Sequence, residues 1–588
     1  MLNNNKSKLL LVLSCVCILG LSIFFIPHVQ ASIIAFVEKL KDDDITDAFW
    51  KQQMIAFGTL GIIFLVILNA IVYVTEARDI FFEHLNKVCK IFETIKTNRK
   101  YLLLLILFYF FGYFSIIRAN FWNNAIDDLP RQIIGCRDWV NFYRYVSELG
   151  SIAVHTSMKV FDIAPLTQFI AILFISLASF FLISIFTNNN FTLLNCISVL
   201  PVGLSPFFLA NFSYRYDSPY MAFSLLVCVI PFLFKEENKH FIISSVISLF
   251  FMCISYQASS GIYIVLAVLV FLEKLFIKKE DAKELTIFTL SSILCFTMTL
   301  FIFSLLFCET PENDVYVDTA MKVSNIFING ANYVKAICTD IGKNCISIFS
   351  LLTVALFILS CLVRTNINKG VTIAVSIIAV AFCFPMTFGA YLALARPEFD
   401  PRAYIGIGAF FGAISLICSN TTHTKKHFLY IRNAIVIYFS YTLLAFSFAF
   451  GNAQYEQKEY MRFRGTILSY DLSEVIPNTS EEIELLFTNT IDYARSVDLL
   501  ASVYPVVYKA IDCGFSSHRA SEFILESFNY CKLKSGKNHY YLEEDFPVLK
   551  ENGYEKIQGY GNKYIITFKT PNLRVIKTRS FQLYNKDE

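Results

Sequence analysis

Charge is scarce in this 588-residue chain: Asp, Glu, Lys and Arg together make up 16% of it. A soluble protein of that size needs more polar residues than this to cover its surface, which excludes a soluble globular fold. Neither sign dominates, since 50 Lys and Arg stand against 47 Asp and Glu. That balance removes the electrostatic argument for nucleic acid as a partner. Proline (15) and glycine (22) are few, which excludes a disordered or collagenous chain. There is no Walker A sequence, dinucleotide fingerprint, HExxH or CxxC pair, so nucleotide chemistry is unsupported. Internal repeats and matched pairs of Gly/Pro-broken spans, which mark inverted-repeat transporters, are also missing.

What the chain has is apolar bulk: 55% hydrophobic residues, 60 Phe and 31 Tyr. Runs long enough to cross a bilayer begin near Leu9, Met54, Tyr101, Leu166, Phe191, Tyr220, Phe241, Gly261, Leu285, Cys345, Val371, Ala403 and Phe428. The expected fold is therefore mainly α, a polytopic membrane helical bundle of about thirteen transmembrane helices. Basic joints, among them Lys6 and Lys8, Arg78 to Lys100, Lys235 and Lys239, Lys274 to Lys283, and Lys425 and Lys426, mark the cytoplasmic side. The intervening joints then face outward, notably Asn120 to Pro165. Lys6, Lys8 and the run Leu9 to Pro27 read as a retained anchor rather than a signal peptide. The plan divides into a two-span extension (1–100), a transmembrane catalytic region (101–450) with the outer loop 120–165, and an extracytoplasmic tail (451–588). In the tail, helical patterns (Gln454 to Leu472, Ala494 to Ile511, Ala520 to Cys531) alternate with strand-like runs (Tyr564 to Phe568, Leu573 to Ile576), as in a small α/β domain. Two cysteine pairs on the outer side, Cys338 with Cys345 and Cys513 with Cys531, are candidate disulfides. His423 and His427 have metal-ligand spacing but adjoin Lys425 and Lys426, and read as a solvated membrane edge.

The loop from Asn120 to Pro165 concentrates acids and arginines: Asp127, Asp128, Arg131, Arg137, Asp138, Trp139, Arg144, Glu148 and Asp162. Sugar transfer onto a hydroxyl needs a carboxylate to take the acceptor proton and cations to hold charge on a phosphate leaving group. The plainer reading is that Asp127 or Asp128 caps a helix begun at Pro130, with Arg131 as its local partner. Two adjacent acids beyond a span repel each other, which favours a tuned pKa and a site. Tyr214-Arg215-Tyr216-Asp217 places a cation and an acid between aromatics, either as a mutual Arg215–Asp217 pair or as substrate contacts. Ser255-Tyr256-Gln257 offers hydrogen bonds to sugar hydroxyls, although an interfacial Tyr is the commoner explanation. Glu309, Glu312 and Arg396-Pro397-Glu398 with Arg402 add charges on the same side.

The double aspartate with its downstream Arg, the Asp-Trp and Arg of the same loop, Asn211 to Tyr220 and Ser255 to Ser259 resemble the serotype-converting glucosyltransferases of the type II Gtr family. The resemblance covers roughly Tyr101 to Leu472. It implies a GT-C-like enzyme of the bacterial inner membrane, using a polyprenyl-phosphate hexose at the periplasmic face and an O-antigen acceptor of lipopolysaccharide. Whether a donor-making transferase and a flippase work alongside it is left open by the sequence. The family's aspartates match Asp127 and Asp128, its arginine Arg131, and its later Trp and Arg match Trp139 and Arg144. A glycine expected before that Arg is Tyr143.

The resulting expectation is that Asp128, assisted by Asp127, acts as general base. Arg131, Arg215 and Arg396 hold the donor phosphate, and Asp138, Trp139, Arg144, Tyr214, Asp217, Tyr256 and Gln257 contact substrate. Apolar spans near Phe110 and Phe111 could hold the lipid tail, although ordinary lipid-facing or core packing is the commoner role for any single Phe. The acids could ligate a divalent metal, but no ligand spacing is diagnostic, so the cofactor stays open and no metal ligand is assigned. The competing classes are a transporter or flippase of lipid-linked sugar, and an O-antigen polymerase or ligase.

Overall fold

The computed structural model describes residues 26–27, 29–31, 47–122, 127–308, 324–421, 426–476, 483–515, 518–528, 530 and 546–570. Among them, nine helices are long and apolar enough to cross a membrane. They correspond to the runs starting near Met54, Tyr101, Leu166, Gly261, Leu285, Cys345, Val371, Ala403 and Phe428. Three other runs, expected as spans, are not single long helices. The run near Phe191 is a pair, Leu193–Leu204 and Pro206–Ser213, bent by 61°. Ser205 is extended there (φ −61°, ψ 144°) because Pro206 follows it, and its hydroxyl accepts from Phe208 N, so a second helix starts afresh. The runs near Tyr220 and Phe241 are the shorter helices Ser218–Phe234 and Asn238–Cys253. The run at Leu9, Glu309, Glu312, His423, Cys531 and Leu573 to Ile576 lie outside the described residues.

The core sits where apolar helices are also covered by protein. Pro401–Ser419 is 94% buried over its apolar window and Gln53–Tyr73 only 11%, so the former is the axis of the bundle and the latter its lipid-facing rim. Phe110 and Phe111 are exposed in the same way. Close approach depends on small residues. Where Arg99–Ala119 crosses Lys426–Val475, Ser115 Oγ donates to Ser447 O (3.1 Å) and Ser447 Oγ to Gly112 O (2.6 Å). A Cβ at Gly451 would lie 2.4 Å from Ser115 Oγ and 2.5 Å from Ile116 N. Gly451→Val is therefore expected to separate these helices and to destabilise the protein by ~3 kcal/mol. Thermal unfolding followed by size exclusion in detergent measures this; an unchanged midpoint would contradict the packing.

The 50-residue helix Lys426–Val475 runs unbroken through position 450 into the tail. There Arg464, 1% exposed, donates to Tyr554 O (2.8 Å) and Ile491 O (3.2 Å), tying the span to the tail domain. That domain is a four-stranded sheet in the order β1-β4-β3-β2: β1 Glu484–Thr488, β2 Val548–Glu551, β3 Glu555–Tyr560, β4 Lys563–Phe568. β3 and β4 form a hairpin over Gly561, which takes φ +61°. β1 joins β4 in parallel, and the connection between them includes the helices Arg495–Val503, Val507–Ala510 and His518–Ser527. The strand expected at Tyr564 to Phe568 is β4.

The first cysteine pair is corrected by the structure: Cys338 and Cys345 are free, exposed thiols. Cys338 is in the last turn of Asn325–Ile341, while Cys345 opens the next helix behind an Asn344 capping box. Cys513 is buried, and Gln457 Nε2 reaches its carbonyl (3.3 Å).

Candidate active site

The loop between the spans Arg99–Ala119 and Leu166–Thr187 is folded. It contains a helix Asp128–Ile133, a 3-10 turn Trp139–Phe142 and a helix Tyr145–His155. Helix Asp128–Ile133 lies against His518–Ser527 of the tail, so the loop is held between membrane bundle and tail domain. Arg137 Nε pairs with the buried Glu148 Oε1 at 3.1 Å, pinning the second half of the loop to the first. Asp127 holds the N-cap position of the helix Asp128–Ile133 but makes no side-chain cap hydrogen bond.

The arginines find carboxylates on other elements. Arg131, 6% exposed, pairs with Asp217 Oδ2 at 2.5 Å and lies over the Trp139 ring. Trp139, fully buried, donates from Nε1 to the other oxygen of Asp217. Asp217 thus joins the loop to the turn between Pro206–Ser213 and Ser218–Val229. Arg215 pairs with Asp162 rather than with Asp217, the other resolution its sequence allowed, and its backbone N–H points at Asp128 Oδ2 (3.5 Å). Asp128, 1% exposed, sits among these groups. Burial raises its carboxyl most; Arg131 and Arg215 pull it down, Asp217 and Asp127 push it up, and the balance is about 7.

Asp127 is half-buried and faces a different cation, Arg402, at 3.2 Å. Arg402 stands in the 3-10 turn Pro401–Tyr404, where Asp400 accepts its backbone N–H, at the head of the buried axial helix Gly406–Ser419. Its guanidinium lies 5.1 Å from the Tyr214 ring centre, and its carbonyl accepts from Tyr256 Oη (3.1 Å). The Tyr256 ring carries Arg144 on its face at 4.9 Å, and the charges of Arg144 and Arg402 both reach the phenol of Tyr391. Tyr256 is thus held by both arginines, by the Arg144 guanidinium on its ring and by the Arg402 carbonyl at its hydroxyl. Among the described residues, no carboxylate pairs with Arg144. Gln257 donates to Phe142 O (3.1 Å) and Cys253 O (2.7 Å), a backbone-fastening role.

The structure brings together Asp127, Asp128, Arg131, Trp139, Arg144, Tyr214, Arg215, Asp217 and Tyr256. Arg396 differs: it is exposed, and no hydrogen bond or ion pair reaches it among the described residues. Asp138 takes φ +44° before the 3-10 turn, and its charge together with burial pushes the neighbouring Cys136 thiol up to about 12. Arg402, Tyr391 and Asp162 are the residues that reading the sequence left without a role. The signal for Arg402 was its place with Arg396 and Glu398 among the charges on the same side as the loop.

Tyr143, where a glycine was expected, takes φ +58° and ψ 25°, the left-handed conformation glycine adopts most readily. The backbone shape is thus kept despite the side chain, whose ring meets Phe303 edge-on. Tyr143→Gly is expected to relieve strain while losing that contact, changing stability by less than about 1 kcal/mol. A thermal shift of many degrees in that variant would show that the Tyr ring is required.

A family model described as "Glucosyl transferase GtrII" matches residues 115–413. The chain is also similar to a Salmonella phage P22 protein described as an uncharacterized 55.3 kDa protein in the gtrB 5′ region. They are 29% identical over 171 residues, 29% of this chain and 34% of that protein, so the match spans about a third of the relative's length. No solved structure matches the chain.

Proposed function

The chain belongs to the glucosyl transferase GtrII family, and on that footing we propose that it transfers a hexose, glucose, from a polyprenyl-phosphate donor to lipopolysaccharide O-antigen. The transfer takes place at the periplasmic face of the inner membrane. The observation that carries this reading is the juxtaposition of a half-exposed carboxylate, Asp127, with Arg402, whose carbonyl holds the Tyr256 hydroxyl while Arg144 covers the Tyr256 ring. A base and two phosphate-binding cations thereby flank one place for a sugar.

In the proposed step, Asp127 takes the proton of the acceptor hydroxyl as its oxygen bonds to the anomeric carbon. The bond to the phosphate oxygen breaks on the opposite face, and its electron pair leaves with the polyprenyl phosphate. Arg402 and Arg144 stabilise that charge; no acid is needed for such a leaving group. Burial distinguishes the two aspartates. Asp127 is the member an acceptor can reach, and Asp128 stands behind it. Arg131 and Arg215, each held by a carboxylate, shape the site from behind.

This division gives a pH profile. Ionised Asp128 places a negative charge behind the site, which favours the positive charge that develops on the sugar as the bond to phosphate breaks. Transfer is expected to rise as pH is taken up through about 7 and to level off above it. Asp128→Asn should remove that inflection, and an unchanged profile would contradict the role. The stability sign is opposite. Folding raises the Asp128 carboxyl from 3.8 to about 7, so the folded state binds the extra proton and stability falls as pH rises across that interval.

The test of the function is the mass of the O-antigen repeat in cells expressing the protein. A gain of one hexose supports transfer, and an unmodified repeat, as a transporter alone would leave, opposes it.

A further inference from the structure

At the other end of the bundle from the aspartates, a second set of titratable groups meets. The helix Ser218–Val229 leaves the site at Asp217, and the helix Asn238–Cys253 returns to it at Tyr256. The turn between them holds Lys235, Glu236 and Glu237. Lys235 pairs with Glu273 at 2.6 Å, and Glu236 with Lys278, which fixes the turn against the neighbouring helix. Against this tip lies the helix Thr75–Thr97, which has no buried residue of its own and brings Glu83, His84 and Lys87.

His240 is 2% exposed, and its Nε2 faces Glu83 Oε1 at 3.3 Å and Glu237 Oε2 at 3.7 Å. These three ligand atoms lie within 4.8 Å of one another. Donors around a tetrahedral cation with bonds of about 2.0–2.1 Å stand about 3.3–3.4 Å apart, close to what is found. Glu237 is the extended residue that precedes the helix and His240 lies in its first turn, three positions on, so their side chains meet at the helix start. The second nitrogen of His240 is also held: its Nδ1 is 3.2 Å from Nδ1 of His84, whose ring stacks on His240 and leans on Phe234. An orienting contact on the far nitrogen is the usual companion of a metal-bound imidazole. Lys87 takes the other oxygen of Glu237, leaving Oε2 to His240.

We propose that Glu83, Glu237 and His240 form a binding site for a divalent transition cation of the zinc class, with His84 orienting His240. The ligand set of one imidazole and two carboxylates, without thiolate, fits zinc, and a fourth position stays open to water. The bound ion clamps the otherwise unburied helix Thr75–Thr97 to the tip of the hairpin that carries Asp217 and Tyr256 at its far end. This is independent of the proposed transfer reaction.

The test is a Zn2+ titration of the full-length protein, purified in detergent and stripped with chelator, followed by calorimetry and by thermal unfolding. One saturable site is expected, with at least a roughly tenfold loss of affinity in Glu83→Gln and in His240→Ala. Zn2+ should raise the unfolding temperature of the wild type and not of the variants. Glu83 is exposed, so Glu83→Gln carries the test even where His240→Ala does not fold. Co2+ in place of Zn2+ should give ligand-field bands without a thiolate charge-transfer band. A wild type with no saturable site, a Glu83→Gln protein that binds as the wild type does, or a thiolate band removed by cysteine substitution would overturn the proposal.

Discussion

Asp127→Asn is expected to lower hexose transfer by roughly 10²- to 10⁴-fold, the span of a lost general base. The amount of protein and its unfolding temperature should remain at the wild-type level. The expectation of intact folding follows from geometry. Asp127 is half-buried and its ion pair with Arg402 is partly solvated, so removing its charge costs about 1 kcal/mol or less. Asp128→Asn is distinguished by its pH dependence rather than by its size. It removes a carboxyl that titrates near 7 and leaves the reachable base in place. Initial rates of transfer from a polyprenyl-phosphate hexose, measured for both variants from pH 5.5 to 8.5, separate the two roles. Wild-type rates in Asp127→Asn would remove the base assignment.

The second large effect is expected at Arg402. Arg402→Ala takes away the cation that faces Asp127 and covers the Tyr214 ring, and should cost roughly 10²- to 10³-fold in transfer. Arg402→Lys should recover little, because an ammonium cannot hold the fork geometry that reaches Asp127, the Tyr214 face and a phosphate together. Arg144→Ala should act mainly through the donor, raising KM with a smaller fall in kcat. Arg396→Ala is the contrast: exposed and apart from the cluster, it should leave rates near the wild-type value. Kinetics of the four variants with donor varied at saturating acceptor provide the check. A loss in Arg396→Ala with none in Arg402→Ala would return the phosphate role to Arg396.

The exchange of Arg396 for Arg402 shows what kind of information sequence carries. Both arginines flank the same short outer segment, and nothing in local composition separates them. The turn at Pro401, capped by Asp400, aims Arg402 inward while Arg396 remains in solvent. Long-range pairing was similarly out of reach. Arg215 and Asp217 are two residues apart and look like partners, yet each is claimed by a charge from a distant element, Asp162 and Arg131. Periodicity and hydropathy located most of the spans, because a bilayer imposes a length and an apolar requirement that is local in sequence. They did not show that the run near Phe191 bends at Ser205-Pro206, or that Lys426–Val475 continues into the tail, since packing decides both. The double aspartate was legible as chemistry because two adjacent acids beyond a span are costly unless used. Which of the two is reachable depends on burial, which only the folded loop reveals.

The most direct measurement is the mass of the O-antigen repeat isolated from cells expressing the wild-type chain, Asp127→Asn or Arg402→Ala at matched membrane levels. The account predicts one added hexose per modified repeat with the wild type and none detectable with either variant. An unmodified repeat with the wild type, or full modification by Asp127→Asn, would contradict it.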